Sequence, residues 1–209
     1  MKRSAMTLGM GLLVLVLIAG KAQAQLDLHR DVAGLTAVEK EFSLIKSEWY
    51  KLILPDEIND YGFMSVEEAQ QAEAGPFIEL YSMHVDREGK TQYSRTHEYL
   101  VPMMVNGQAR VFVKMAFFEK KYQMVSVGET TLAMDASEII QQAASASGRL
   151  IWIQHLNFSA DFIATVSDEM PGKDLTLIPI FTARRAGIDS AMPVSRVIEL
   201  LSSTPYSID

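Results

Sequence analysis

The sequence predicts an α+β fold in which helices pack on a mostly antiparallel sheet. Strand-like runs occur in clusters joined by short polar turns, and they do not alternate one by one with helices. Asn106-Gly107 lies between two apolar runs, which is the strongest short-range signal of a β-hairpin. The element order is also compatible with two similar helix-plus-meander halves, at about residues 34–130 and 131–209.

The first helix is predicted over about residues 37–50. Thr36 and Glu39 have the spacing of a capping box, in which each side chain satisfies a free backbone donor of the other residue. Apolar residues then recur on one helical face, which predicts that this face is buried against the sheet formed by residues 77–127. The residues of this stripe are Val38, Phe42, Ile45 and Trp49.

Three further helices are predicted from their start and stop signals. Ser65 opens a helix at about 66–74, which Gly75-Pro76 ends. Asp135 has the position of an N-cap for a helix at about 136–146. A short C-terminal helix follows Pro193. The strands between the helices are predicted at 77–85, 99–105, 108–118, 122–127, 150–158, 161–167 and 174–183.

The first 24 residues have the three parts of an export signal. Lys2 and Arg3 are followed by an apolar run at 12–19 and by the small-residue site Ala22-Gln23-Ala24. Cleavage before Gln25 would leave residues 25–209 as a single domain in the periplasm or outside the cell. The alternative is an uncleaved membrane anchor, but the apolar run is shorter than the roughly 20 residues of a membrane span. Membrane association is expected only if the segment is retained.

Composition excludes several classes of function. The formal net charge is −7, and an acidic surface repels nucleic acid. The chain has no cysteine, which excludes thiol catalysis, cysteine-bound zinc and iron–sulfur clusters. No phosphate-binding glycine loop and no serine-nucleophile motif is found. No cofactor and no catalytic residue is therefore assigned.

Residues 61–128 combine a short capped helix with a series of strands. A capped helix runs from Tyr61-Gly62-Phe63-Met64-Ser65 into Gly75-Pro76-Phe77, and Val101-Pro102-Met103 precedes the hairpin turn. Residues 61–128 resemble a module of uncharacterised exported bacterial proteins in which a short helix leads into a β-meander. The resemblance implies this local fold and export, but it carries no activity and no site residues.

The best candidate for a metal site is a histidine–carboxylate group. His84 and Asp86 lie near the end of one predicted strand, and His97 and Glu98 lie near the start of the next. If these strands pair as a hairpin, the four side chains lie near one end of the sheet, and imidazole with carboxylate suits zinc or another divalent ion. The alternative is that the four residues form a solvated loop rim.

Two classes of function remain open. The leading hypothesis is an exported, non-catalytic binding or interaction protein, whose partner is an unidentified protein or small ligand of the cell envelope. The alternative is a hydrolase or metal-dependent enzyme with its site near His84, Asp86, His97 and Glu98.

Overall fold

The computed structural model describes residues 31–85, 91–144, 148–166 and 175–203. The described residues form five α-helices and one 3-10 helix, Trp49–Leu52; the α-helices are Val32–Ile45 (α1), Val66–Gln71 (α2), Thr130–Ala144 (α3), Phe181–Arg185 (α4) and Val194–Ser203 (α5). Their strands are Glu73–Ala74 (β1), Ile78–Val85 (β2), Thr91–Val105 (β3), Gln108–Phe118 (β4), Lys121–Gly128 (β5), Arg149–His155 (β6), Ala160–Val166 (β7), Thr176–Pro179 (β8) and Met192–Pro193 (β9).

One sheet runs through both halves of the described chain. Its strand order is β5-β4-β3-β2-β6-β7-β8-β9, and β1 pairs with β3 beside this path. Every pairing is antiparallel except that of β2 with β6, which joins the two meanders in parallel at the centre. The predicted α+β fold with a mostly antiparallel sheet is therefore confirmed. The predicted export signal lies outside the described residues, and the division into domains stays a prediction.

The first helix begins and ends earlier than predicted. Asp31, five residues before Thr36, is the N-cap and accepts a hydrogen bond from the backbone N–H of Gly34 at 2.8 Å. Thr36 lies inside the helix, where its hydroxyl donates to the carbonyl of Val32. The predicted burial of the apolar stripe is confirmed for Val38, Phe42 and Trp49, although Trp49 belongs to the following 3-10 helix.

Two predictions in the second half were wrong in their details. The helix placed at 136–146 begins at Thr130, so Asp135 is an internal residue and not an N-cap. Its carboxylate instead accepts a hydrogen bond from the backbone N–H of Phe181 and pairs with Arg184. The strand predicted at 174–183 ends at Pro179, because residues after Ile180 form α4, whose start is tied to α3 by this contact.

The hairpin turn was predicted correctly. Asn106 and Gly107 have φ of 52° and 78°, as a type I′ turn requires, and Val105 pairs with Gln108 across it. A second turn of positive φ, at Glu119 and Lys120, joins β4 to β5. Strand β3, which leads into the Asn106-Gly107 turn, is longer than predicted. Its polar first half begins at Thr91 and pairs with β2.

Both faces of the sheet are covered. On one face, α3 packs over a cluster that includes Ile78, Phe112 and Trp152. On the other face there are two separate apolar clusters, one beneath α1 and one beneath α5. Among the described helices, none is long and apolar enough to cross a membrane.

Candidate functional site

The structure separates the residues predicted to form a metal site. His84 lies near the end of β2, where it pairs with Gln92. His97 lies five residues further along β3, opposite Leu80 and therefore four residues from His84 along the hairpin, roughly 13 Å at about 3.3 Å per residue, and it has a φ of 57°. Asp86 lies outside the described residues. The strands do form the expected hairpin, but β3 begins at Thr91, so His97 is in its middle.

Glu98 serves a different contact. Its carboxylate lies 2.9 Å from the ammonium group of Lys114 on β4, in a partly exposed ion pair. Among the residues that the structure describes, no three histidine, aspartate or glutamate side chains come together as a group that could hold a metal ion. The metal prediction therefore has no geometric support from its described members.

A buried ionic cluster lies at the centre of the sheet, on the face between the two apolar clusters. Glu79 of β2 is 3% exposed. Its Oε1 lies 2.7 Å from Nε of Arg95 on β3, and its Oε2 accepts a hydrogen bond from Arg149 on β6 at 2.6 Å. Arg95 also donates to the Tyr81 hydroxyl at 3.1 Å. These contacts tie together the three central strands.

A β-bulge aims Arg95 into this cluster. Glu79 pairs with Tyr99 and Tyr81 pairs with Arg95, so three residues of β3 stand opposite Leu80 alone. Thr96 closes the irregularity by donating to the carbonyl of Leu80 at 2.8 Å. The excess of two residues keeps the alternation of side chains, so Arg95 and Tyr99 stay on the face that carries Glu79, and the bulge brings Arg95 opposite Tyr81.

The surroundings of the ionic cluster disfavour further negative charge. Burial raises the pKa of Tyr81, Tyr99 and Tyr122, and the carboxylate of Glu79 raises them further. Asp31 acts on Tyr99 and Tyr122 in the same direction, so the start of α1 lies close to the cluster. The tyrosines therefore stay neutral, and the one carboxylate of the cluster is shared by two guanidinium groups.

His155 at the end of β6 is fully buried. Neither ring nitrogen has a hydrogen-bond partner among the described residues, and the ring packs edge-on against Phe158 at 5.0 Å. Burial lowers the pKa of His155 to about 4, and nearby His84 adds a smaller effect in the same direction. The imidazole is therefore neutral at pH 7.

Asp161 is a buried carboxylate whose hydrogen bonds connect neighbouring elements of the fold. It accepts hydrogen bonds from the Trp152 indole and the Thr182 hydroxyl, each at 2.9 Å. Burial raises its pKa, while these two hydrogen bonds oppose the rise. The group joins β6, β7 and α4, and all its contacts lie within the fold.

A cleft of about 600 Å³ opens at one end of the sheet. Its walls come from three segments: the end of α2 together with β1, the β3–β4 hairpin turn, and the C-terminal half of α3. Its apolar wall consists of Pro76, Met104, Val105 and Ile140. Its polar side chains are the carboxylates Glu68 and Glu73 and the amides Gln71, Asn106 and Gln141; among the described residues, no lysine, arginine or histidine lines it.

Local structure fixes the walls of the cleft. After α2 the chain pairs as β1 with β3, and the N–H of Gly75 donates to the carbonyl of Pro102 at 2.8 Å. A Cβ at Gly75 would lie 2.8 Å from the Pro102 ring, so only glycine allows this approach. On the opposite wall, the Gln141 amide donates to the carbonyl of Gly107 and holds the hairpin turn against α3.

The residues of the ionic cluster and of the cleft were not predicted as sites from the sequence. A signal for the ionic cluster was present, because Glu79 is a charged residue between the apolar residues Ile78 and Leu80, and Arg149 directly precedes the apolar run 150–153. The cleft had no comparable signal, since its walls come from three segments far apart in sequence.

The chain matches no protein family, no curated protein and no solved structure. The resemblance of residues 61–128 to a module of exported bacterial proteins therefore stays an expectation.

Proposed function

We propose that this chain is an exported, non-catalytic binding protein that takes a small ligand in the cleft between α2, α3 and the β3–β4 turn. The cleft carries this proposal. Its volume of about 600 Å³ is in the usual range for small-molecule sites, which combine an apolar wall with a few converging polar groups. Met104 and Ile140 supply the wall, and Glu73 and Asn106 lie among the polar groups.

The rigidity of the surrounding segments supports binding at this place. The Ser137 hydroxyl accepts a hydrogen bond from the N–H of Ala109 at 2.9 Å, so α3 holds the first residues of β4. Glu68 caps α2 by accepting from the N–H of Met64 at 2.5 Å. A site whose walls are already fixed loses little conformational entropy when a ligand binds.

Periplasmic or extracellular location belongs to the same proposal and rests on the signal-like segment at 1–24. The alternative of a hydrolase or metal-dependent enzyme has less support from the described residues, since His84 lies near the end of β2 whereas His97 lies in the middle of β3.

A ligand screen with a matched pair of variants tests the proposal. Thermal shift with a diverse small-molecule library identifies compounds that stabilise the purified chain, because a ligand that binds only the folded state raises its melting temperature. Gln71→Trp places a large ring in the cleft, whereas Gln70→Trp puts the same ring on the neighbouring exposed position outside it. Hits should lose their effect with Gln71→Trp and keep it with Gln70→Trp.

The proposal fails if no compound stabilises the chain. It also fails if every hit is equally effective on both tryptophan variants, because the ligands would then bind elsewhere.

A further inference from the structure

We infer that the ligand of this cleft is an organic cation, an ammonium compound with an apolar body. The inference rests on the proposed function and names the class of ligand. The volume and apolar wall of the cleft make it suitable for a small organic ligand, and its ionisable side chains determine which charge that ligand carries.

The charged groups in the cleft have one sign. Glu68 belongs to α2 and Glu73 to β1, and they are the ionisable side chains that the described part of the chain contributes to the lining. An anionic ligand would meet two carboxylates without a compensating cation, which costs free energy even in a partly open site. A cationic group gains charge-assisted hydrogen bonds from the same carboxylates.

The remaining polar groups also suit a donor-rich ligand. The amides Gln71 and Asn106 lie at exposed positions of the lining, and each has a carbonyl oxygen that accepts from an N–H. The Glu68 carboxylate is fixed in direction by its hydrogen bond from Met64, so it does not have to be ordered on binding.

The apolar wall favours an organic cation over a metal ion. Met104, Ile140 and Pro76 offer no oxygen ligands, whereas a hard divalent ion takes six or more of them. Contact between this wall and the apolar body of a ligand removes hydrocarbon surface from water, which favours binding. The methionine thioether can also adapt to ligands of differing shape.

The field of the whole chain acts in the same direction. A net charge of −7 raises the local concentration of cations around the protein and lowers that of anions. Because this contribution is screened by salt, the affinity for a cation should fall with ionic strength while that for a neutral analogue stays constant.

The test uses three probes of similar shape: 2-phenylethylammonium, 2-phenylethanol and 3-phenylpropanoate. Calorimetry or ligand-observed NMR on the full purified chain measures their affinities at low and moderate salt. The ammonium probe should bind best, and Glu73→Gln should weaken it roughly tenfold, about the value of one charge-assisted hydrogen bond. Glu68→Gln should weaken it similarly, since glutamine can still serve in the helix cap.

The matched control is Glu67→Gln, which removes the same charge from an exposed position of α2 outside the cleft. It should leave the affinity nearly unchanged. A general effect of net charge would instead make all three glutamine variants equal, and that result would overturn the inference.

The outcomes separate the two proposals. If the alcohol or the carboxylate binds best and Gln71→Trp abolishes that binding, the ligand class is wrong and the binding function stands. If Ca²⁺ alone stabilises the chain and displaces the ammonium probe, the site takes a metal ion and the inference is wrong. If no probe binds in a way that Gln71→Trp abolishes, the inference is overturned, and the library screen decides the binding function separately.

Discussion

The carboxylate of Glu79 on β2 and the guanidinium of Arg149 on β6 form a hydrogen-bonded ion pair of 2.6 Å across the parallel pairing of these two strands. Arg95 approaches the same carboxylate from β3. The first meander and the second meander thus meet at a buried charge as well as at a strand pairing. A buried pair of this kind is sensitive to the loss of one member, because the remaining charge has no water to solvate it.

Glu79→Ala should therefore lower the free energy of unfolding by about 3–5 kcal/mol, since it leaves two guanidinium groups beside each other with little water. Urea unfolding followed by circular dichroism measures the loss. Glu98→Ala is the control, because its partly exposed pair with Lys114 should contribute less than about 1 kcal/mol. Equal effects of the two changes would mean that the central cluster is effectively solvated.

His155 makes stability depend on pH. Burial lowers its pKa from 6.5 to about 4, so between these values the unfolded chain binds a proton that the folded chain does not. The stability that the neutral imidazole of His155 contributes to the fold is fully present above pH 6.5. It falls as the pH decreases and is lost by about pH 4, for a total on the order of 3 kcal/mol.

Unfolding curves from pH 7.5 to 4 should show this loss, and His155→Leu should flatten the slope. His97→Asn is the control, because His97 is exposed and asparagine tolerates its positive φ. An unchanged slope in His155→Leu would assign the pH dependence to other groups.

Phe42 anchors α1 to the sheet. Its ring is 3% exposed and packs edge-on against Phe77, with 5.5 Å between the ring centres. Phe42→Ala should cost about 3–5 kcal/mol of stability, whereas Leu44→Ala, at a position 68% exposed, should change it little. Trp49 fluorescence in the unmodified chain should resist aqueous quenchers, since that side chain is 1% exposed.

Gly107 has a φ of 78°, which β-branched residues resist. Gly107→Val should destabilise the fold by about 1 kcal/mol or more, and it should also weaken any ligand bound in the cleft that this turn lines. Gln108→Val changes the next position, in extended backbone, and should be tolerated. A melting temperature unaffected by Gly107→Val would contradict the turn geometry.

Cleavage of the N-terminal segment is expected between Ala24 and Gln25. N-terminal sequencing of the exported protein should read Gln25-Leu26-Asp27. Ala24→Arg should block processing, because the site requires small residues. A wild-type product that still begins at Met1 and sediments with membranes would support the anchor instead.

Several elements of this protein were determined locally and could be read from the sequence. Asn106-Gly107 defines its turn because both residues accept positive φ, and Ser65 caps α2 because its hydroxyl reaches the N–H of Glu68 three residues on. The apolar stripe of Val38 and Phe42 predicts a buried helix face, because the helical period determines which side chains lie on the same side. These features depend on residues within a few positions of each other.

Tertiary structure decided the rest. Asp135 has the type and spacing of a cap, yet its contact with Arg184 and the backbone of Phe181, 46 residues away, made it part of a junction between helices. A two-residue excess in β3 brought Arg95 opposite Tyr81, beside Glu79, and the extension of β3 back to Thr91 left His97 in mid-strand, away from His84. The cleft has walls from three segments whose proximity exists only after the sheet forms, and long-range pairing of that kind leaves no trace in local spacing.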